Sequence, residues 1–220
     1  MCGRFTLKAS PKELYAFFEE LGNREWLESA RELIADWPAR YNVAPTQQVL
    51  VIRQHDVLPM RWGLIPSWAD DEKIGYKMIN ARAETITEKP TFRRALEKKR
   101  CLIVADGFYE WQTLAPKQKQ PLRFALADGK PFCFAGVWDK WKDLHTCTII
   151  TAAANSVVSQ AHDRMPVMLD RSDFAAWLGE TPTDQLTALL RPFPSERLQA
   201  TKANPLVNNV ANDNEACLQW

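Results

Sequence analysis

Apolar positions recur along this chain in two rhythms, one helical and one strand-like. Leu14, Phe17, Phe18 and Leu21 fall at i, i+3, i+4 and i+7, the spacing of a helix with one buried face. Ser10-Pro11-Lys12-Glu13 precedes them with the makings of a helix start: a capping Ser, a first-turn Pro and a Glu three residues on to close a capping box. Gly22 is the expected stop. Trp26, Leu27, Ala30 and Ile34 predict a second helix over 25–36, ended by Pro38. Residues 2–8 predict a short first strand, and 49–52 with 57–62 a strand pair across Gln54-His55-Asp56. Residues 77–83 read as a strand with Asn80 and Arg82 on one face.

Residues 91–100 predict a short helix, whose closing Lys98-Lys99-Arg100 reads as a solvated cationic end. The apolar run 101–105 is strand-like and continues through Asp106-Gly107-Phe108-Tyr109-Glu110-Trp111 without a clear break. A loop is expected over 116–120. The strongest hairpin signal joins 122–127 and 132–138 across Asp128-Gly129. Residues 146–153 predict another apolar strand, 155–161 a helical turn or two, 167–169 a short strand, and 174–178 and 185–190 helices. Many short strands with helices interspersed predict an α+β fold: a curled, barrel-like, mixed or antiparallel sheet core with peripheral helices.

At 220 residues, with 46% hydrophobic and 25% charged residues, the chain suits one domain with a full core. A net charge of +1 provides no global basic field, so any anion-binding site must be local. Nine Trp supply more than an ordinary number of flat faces for a core or for stacking. The five Cys are odd in number and widely spaced, with no C-x-x-C pair, which argues against zinc and suits a reducing compartment. No cofactor motif is present: neither a Walker loop nor G-x-G-x-x-G, H-E-x-x-H or G-x-S-x-G. With no signal-peptide core and no apolar run near the ~20 residues of a membrane span, the expected location is the cytoplasm.

The distinctive chemistry sits at the start. Cys2 follows Met1 directly, and aminopeptidases remove Met1 before a small residue. Removal leaves an α-amine and a thiol on one residue, with ordinary pKa values of about 8 and about 8.5. Such a 1,2-aminothiol condenses with an aldehyde to an imine and then closes a five-membered thiazolidine. Glu110, between Tyr109 and Trp111, is either a desolvated carboxyl suited to proton transfer or the water-facing member of an alternating strand. His162, flanked by Asp163 and Arg164, reads as a proton shuttle or as a His in an ion-paired turn. Asn80 and Arg82 offer an amide to orient an oxygen and a guanidinium for a phosphate. With Arg4, Arg40, Arg93, Arg94 and Arg164, and with Pro45, Trp62 and Trp68 on loops, the set suits single-stranded nucleic acid if the fold gathers it.

Six stretches taken in order carry a resemblance: Met1–Phe5, Tyr41–Pro45, Trp62–Trp68, Asn80–Glu84, Gly107–Trp111 and His162–Pro166. Together they resemble the SRAP family, the SOS response-associated peptidase proteins that cross-link to abasic sites. The motifs span roughly residues 2–180 of a single domain over 1–220, and the polar segment 181–220 carries none of them. The resemblance implies binding of single-stranded DNA containing an abasic site, a Schiff base between the Cys2 amine and the ring-opened sugar, and thiazolidine closure that shields the lesion during the DNA damage response. It implies Cys2 as nucleophile and Asn80 as the group that holds the opened sugar or the N-terminus. Glu110 and His162 become acid–base groups, Arg4, Arg82 and Arg164 phosphate ligands, and Pro45 and Trp68 the wedge and stacking platform for flanking bases. It implies no metal and no cofactor, a monomer, and association with the nucleoid when on DNA. The imine stage makes β-elimination accessible as a lyase side reaction. Two alternatives stand beside it: a Cys2-dependent autopeptidase that uses Glu110 and His162, and a non-covalent binding module for single-stranded or modified DNA.

Overall fold

Local capping dictates how the first helix starts and stops. The computed structural model describes residues 2–220. After strand β1 (Phe5–Leu7), Ser10 caps helix α1 (Pro11–Leu21): the Glu13 amide donates to its hydroxyl, and its own amide donates to the Glu13 carboxylate at 2.7 Å. Gly22 closes the helix at a φ of 68°, where a Cβ would be strained. Helix α2 (Arg24–Ala35) follows, then β2 (Arg40–Val43), β3 (Gln48–Ile52), β4 (Val57–Trp62), β5 (Asn80–Arg82) and α3 (Pro90–Lys98). Next come β6 (Arg100–Ala105), β7 (Gly107–Ala115), β8 (Gln118–Leu126), β9 (Phe132–Trp141) and β10 (Leu144–Ala153). The chain ends through β11 (Arg164–Pro166), β12 (Met168–Leu169), α4 (Phe174–Leu178), α5 (Thr183–Leu189) and β13 (Leu198–Lys202). Among the described residues, no helix is long and apolar enough to cross a membrane.

Two sheets result. In the first, β4, β3, β6, β9 and β10 pair in turn, and β10 pairs back with β4, closing a barrel-like ring. The β4–β10 contact is parallel and the other four are antiparallel. Closure removes the exposed edges that an open sheet would present. The second sheet is antiparallel, in the order β13-β8-β7-β1-β2.

Alternation on the ring strands explains their unbroken apolar runs. Val49, Val51, Cys101, Ile103 and Ala105 pack with Phe5, Phe108 and Phe124 of the second sheet. Their neighbours Leu50, Ile52, Leu102 and Val104 pack with Phe17, Phe18, Trp26 and Ile34 of α1 and α2. The Phe5 ring joins the two sheets, 5.2 Å from Trp62 and 5.7 Å from Phe134 between centroids. The expected α+β fold, a curled sheet core with helices around it, is the fold observed.

Two local expectations are corrected. First, 122–127 and 132–138 do not form a hairpin. The Asp128-Gly129 turn is made, with Gly129 at φ 71°, but β8 pairs with β7 and β13 whereas β9 pairs with β6, β10 and β12. The turn instead carries the chain from one sheet to the other. The cause is a competing partner: β7 reaches β8 across a tighter turn at Lys117 (φ 66°), so the expected loop over 116–120 gives way to strand from Gln118. Second, the run Lys98-Lys99-Arg100 is not all solvated. Arg100 is buried and its guanidinium donates to the carbonyls of Leu96, Glu97, Trp177 and Gly179, which locks α3 and α4 onto β6. Replacing Arg100 by Met is expected to cost about 2–4 kcal/mol, because four carbonyls, those of Leu96 and Trp177 in buried contacts, lose their donor. A urea midpoint unchanged from wild type would contradict this. The stretch after residue 180, which carries none of the motifs, contributes structure: β13 extends the second sheet, and residues 203–218 cap β2 and β7.

Candidate active site

Strand pairing brings the polar candidates together. β1 lies against β7 with Phe5 opposite Phe108, and the Tyr109 amide donates to the Arg4 carbonyl at 3.0 Å. This carries Cys2 beside Glu110, close enough for the carboxylate to act on the thiol. β5 runs parallel to β10, with Asn80 opposite Ile149 and Arg82 opposite Thr151. β11 pairs with the other side of β10, Pro166 opposite Thr151 and Arg164 opposite Ala153. The His162–Pro166 and Asn80–Arg82 segments therefore flank one stretch of β10. Asn80 then links the two sheets: its Nδ2 donates to the Cys2 carbonyl at 2.8 Å. Its Oδ1 is buried and has no hydrogen-bond partner among the described residues.

Burial sets the electrostatics. Glu110 is 3% exposed, and desolvation, reinforced by Asp163, pushes its carboxyl up to about 7. The desolvated reading of Glu110 is the one the fold selects over the water-facing one. The Cys2 thiol is fully buried; desolvation and then the Glu110 carboxylate raise it far above the ordinary thiol range, so it is held protonated. His162 keeps one-third of its ring exposed, and burial lowers its pKa. Its Nδ1 accepts the Arg164 backbone amide at 2.9 Å, which assigns the neutral ring's proton to Nε2. The Asp163 carboxylate, 2.8 Å from the same Nδ1, becomes a partner only when the ring is protonated. Among the described residues, no group of three or more His, Cys, Asp or Glu side chains is placed to hold a metal ion.

The residues expected to meet nucleic acid divide into two sets. Arg82 is exposed, and Trp68 is 66% exposed on a loop pinned by the Ser67 amide to Asp139 and by the Trp141 indole to the Ala69 carbonyl. Pro45 is half-buried, next to Thr46 at a φ of 75°. Arg164 is held by both oxygens of Glu84, at 2.6 and 2.9 Å, and by the Thr151 carbonyl, while its Nε is buried without a partner among the described residues. Arg4 points elsewhere: its Nη1 donates to Asn42 Oδ1 at 2.8 Å and to the Val207 carbonyl at 2.6 Å. Sequence reading assigns no role of their own to Asn42, Glu84 and Asp213. All are acceptors or amides inside or beside the motifs or in the polar tail, but their partners lie far away in sequence, so nothing local marks them.

Comparison with known proteins shows the family. The family model of the SOS response associated peptidase (SRAP) matches residues 1–210. The abasic site processing protein YoqW of Bacillus subtilis (strain 168) is 43% identical over 230 residues, covering 100% of this chain and 99% of that protein. The abasic site processing protein HMCES of Xenopus tropicalis is 31% identical over 264 residues, covering 99% of this chain and 78% of its own length. A crystal structure from Bacteroides thetaiotaomicron superposes with a TM-score of 0.87 at 27% identity, covering 99% of both chains. From its motifs, its fold and these relatives, the chain belongs to the SOS response associated peptidase (SRAP) family.

Proposed function

We propose that this protein processes abasic sites in DNA and that, once Met1 is removed, Cys2 links covalently to the lesion. One observation carries the reading. Cys2 sits beside a buried carboxyl whose pKa is about 7, with its carbonyl fixed by Asn80. While Met1 is attached, the Cys2 nitrogen is an amide and has no nucleophilic lone pair; cleavage frees it.

The chemistry follows from those placements. The amine nitrogen attacks the C1′ aldehyde carbon of the ring-opened sugar and gives a carbinolamine. Protonated Glu110 donates to the carbinolamine hydroxyl, which leaves as water, and the C–N bond becomes an imine. The Cys2 sulfur then adds to the same carbon while its proton passes to the Glu110 carboxylate, closing the thiazolidine. One water is lost overall and Glu110 returns to its protonated form. A thiol held protonated enters second, after the amine, which suits ring closure on an imine better than a first attack on a peptide carbonyl. The His162 Nε2–H faces the sugar hydroxyl as the ring opens. Arg82 and Arg164 take backbone phosphates, the latter with its charge kept in place by Glu84. Pro45 and Trp68 wedge and stack the flanking bases of a single strand.

Intact-protein mass spectrometry tests the reading. Incubation with a single-stranded oligonucleotide bearing one abasic site is expected to add the oligonucleotide mass less one water to protein that lacks Met1. Mature protein that stays unmodified would sink the covalent proposal. Arg82→Ala is expected to weaken binding to undamaged strands and to reduce the slope of log K against log salt by about 0.7–0.9. An unchanged slope would remove Arg82 from the phosphate contacts.

A further inference from the structure

We propose that Arg4 is a positioning residue, and that the C-terminal segment 203–218 is a clamp which sets the nucleophile through it. The inference rests on the reading of Cys2 as nucleophile and reassigns Arg4 from phosphate ligand to part of that clamp.

The geometry is as follows. Along β7, Phe108 packs between the two sheets, while Tyr109 packs on the opposite face with Ala203, Val207 and Cys217. By alternation Glu110 shares the face of Phe108, and Trp111 shares that of Tyr109, where its indole donates to Asn208 Oδ1 at 2.7 Å. Phe5 of the adjacent strand also lies between the sheets. Arg4, its neighbour, extends to the outer face, where it is half-buried and donates to Asn42 and to the Val207 carbonyl. Arg4 is thus on the side of the sheet opposite Glu110, with its donors turned toward the chain's own carbonyls.

The clamp itself is built from buried polar groups. Asn42 is fully buried, and its Nδ2 lies 3.2, 3.0 and 2.7 Å from the carbonyls of Val207, Asn209 and Asn212. Asp213 accepts the backbone amides of Tyr41 at 2.5 Å and Asn42 at 2.8 Å, and pairs with Arg40. Segment 203–218 therefore grips β2, and through Asn42 and Val207 it grips Arg4, two residues from the reacting amine. The same segment seats Tyr109 and Trp111, which bracket Glu110. One element fixes both the strand that carries the nucleophile and the strand that carries the proton donor, which is how a small misplacement far from the reacting atoms comes to cost rate.

The test uses the full mature chain and separates positioning from phosphate contact. For Arg4→Gln and Asp213→Ala, the Kd for undamaged single-stranded DNA and its salt slope are expected to match wild type. The cross-linking rate at saturating abasic-site DNA is expected to fall about tenfold or more in both. Arg82→Ala is the positive control, because it moves Kd and slope. A salt slope reduced in Arg4→Gln with an unchanged saturated rate would return Arg4 to the phosphate ligands and overturn the proposal, as would a wild-type saturated rate in Asp213→Ala. Amide hydrogen exchange over residues 2–6 reads the clamp without any DNA chemistry. Exchange accelerated about tenfold or more in Asp213→Ala, with β9 and β10 still protected, is expected; unchanged exchange overturns the clamp. If Asp213→Ala does not fold, Arg4→Gln carries the exchange measurement, because it removes the guanidinium's contacts to Asn42 and to the Val207 carbonyl. A wild-type protein that forms no adduct would fail the covalent reading, while the exchange result would still decide the clamp.

Discussion

Replacing Cys2 by Ala is expected to abolish the heat-stable adduct with abasic-site DNA completely, while affinity for undamaged single strands stays within about twofold because no phosphate contact is lost. The α-amine survives in the variant, so the imine still forms, but without sulfur it reverts by hydrolysis. Borohydride reduction is therefore expected to trap an adduct in Cys2→Ala that heating alone destroys. The expected loss is the largest available because ring closure has no substitute among the neighbours: the other four cysteines are buried on other elements. A heat-stable adduct of wild-type yield from Cys2→Ala would place the linkage elsewhere. A non-covalent binding module predicts no adduct from either protein, so the two ideas separate on one gel.

Glu110→Gln is expected to slow cross-linking by about 10²–10³, the usual worth of a positioned proton donor. The pH profile provides the sharper reading. The amine must be unprotonated and Glu110 protonated, so the wild-type rate rises as the amine titrates and falls as pH passes through about 7. A glutamine amide titrates nowhere in this range, so the Glu110→Gln variant is expected to lose the falling limb and keep the rising one. Stability should move in the opposite sense to rate. A buried carboxyl whose folded pKa lies above its unfolded value of about 4.3 favours folding when protonated, and that contribution is lost as pH rises from about 4 through about 7. Above pH 7 the buried charge costs on the order of 3 kcal/mol, which the amide avoids. Glu110→Gln is thus expected to melt higher than wild type at pH 8 and close to it at pH 4. Equal melting at both pH values, together with an unchanged rate profile, would make Glu110 a bystander.

Much of the local structure is legible in the chain itself. The capping box at Ser10, the stop at Gly22 and the helix expected over 25–36 depend on neighbours within a turn; the first two are observed, and the helix is found one residue earlier, at Arg24–Ala35. The six motifs identify the family, because ordered spacing over most of the chain survives where the fold does. The failures are of a different kind. The Asp128-Gly129 turn forms as expected, yet the strands on either side of it join different sheets. A turn signal reports backbone conformation over a few residues. Strand partnership is decided by which distant strand offers a matching face.

The site divides along the same line. Residue type settles what a group is able to do: an aminothiol at position 2, a carboxyl at 110 and an imidazole at 162 have their reactivity from their atoms alone. Whether water surrounds them, and which way they face, depends on packing between segments far apart in sequence. Burial between two sheets moves the Glu110 carboxyl to about 7 and keeps the Cys2 thiol protonated. The pleat of the second sheet turns Arg4 away from Glu110 and onto Asn42 and Val207, and Glu84 fixes Arg164. Chemical identity is local and written in the chain. Dielectric environment, direction and hydrogen-bond partners are sums over neighbours that exist only once the chain has closed on itself.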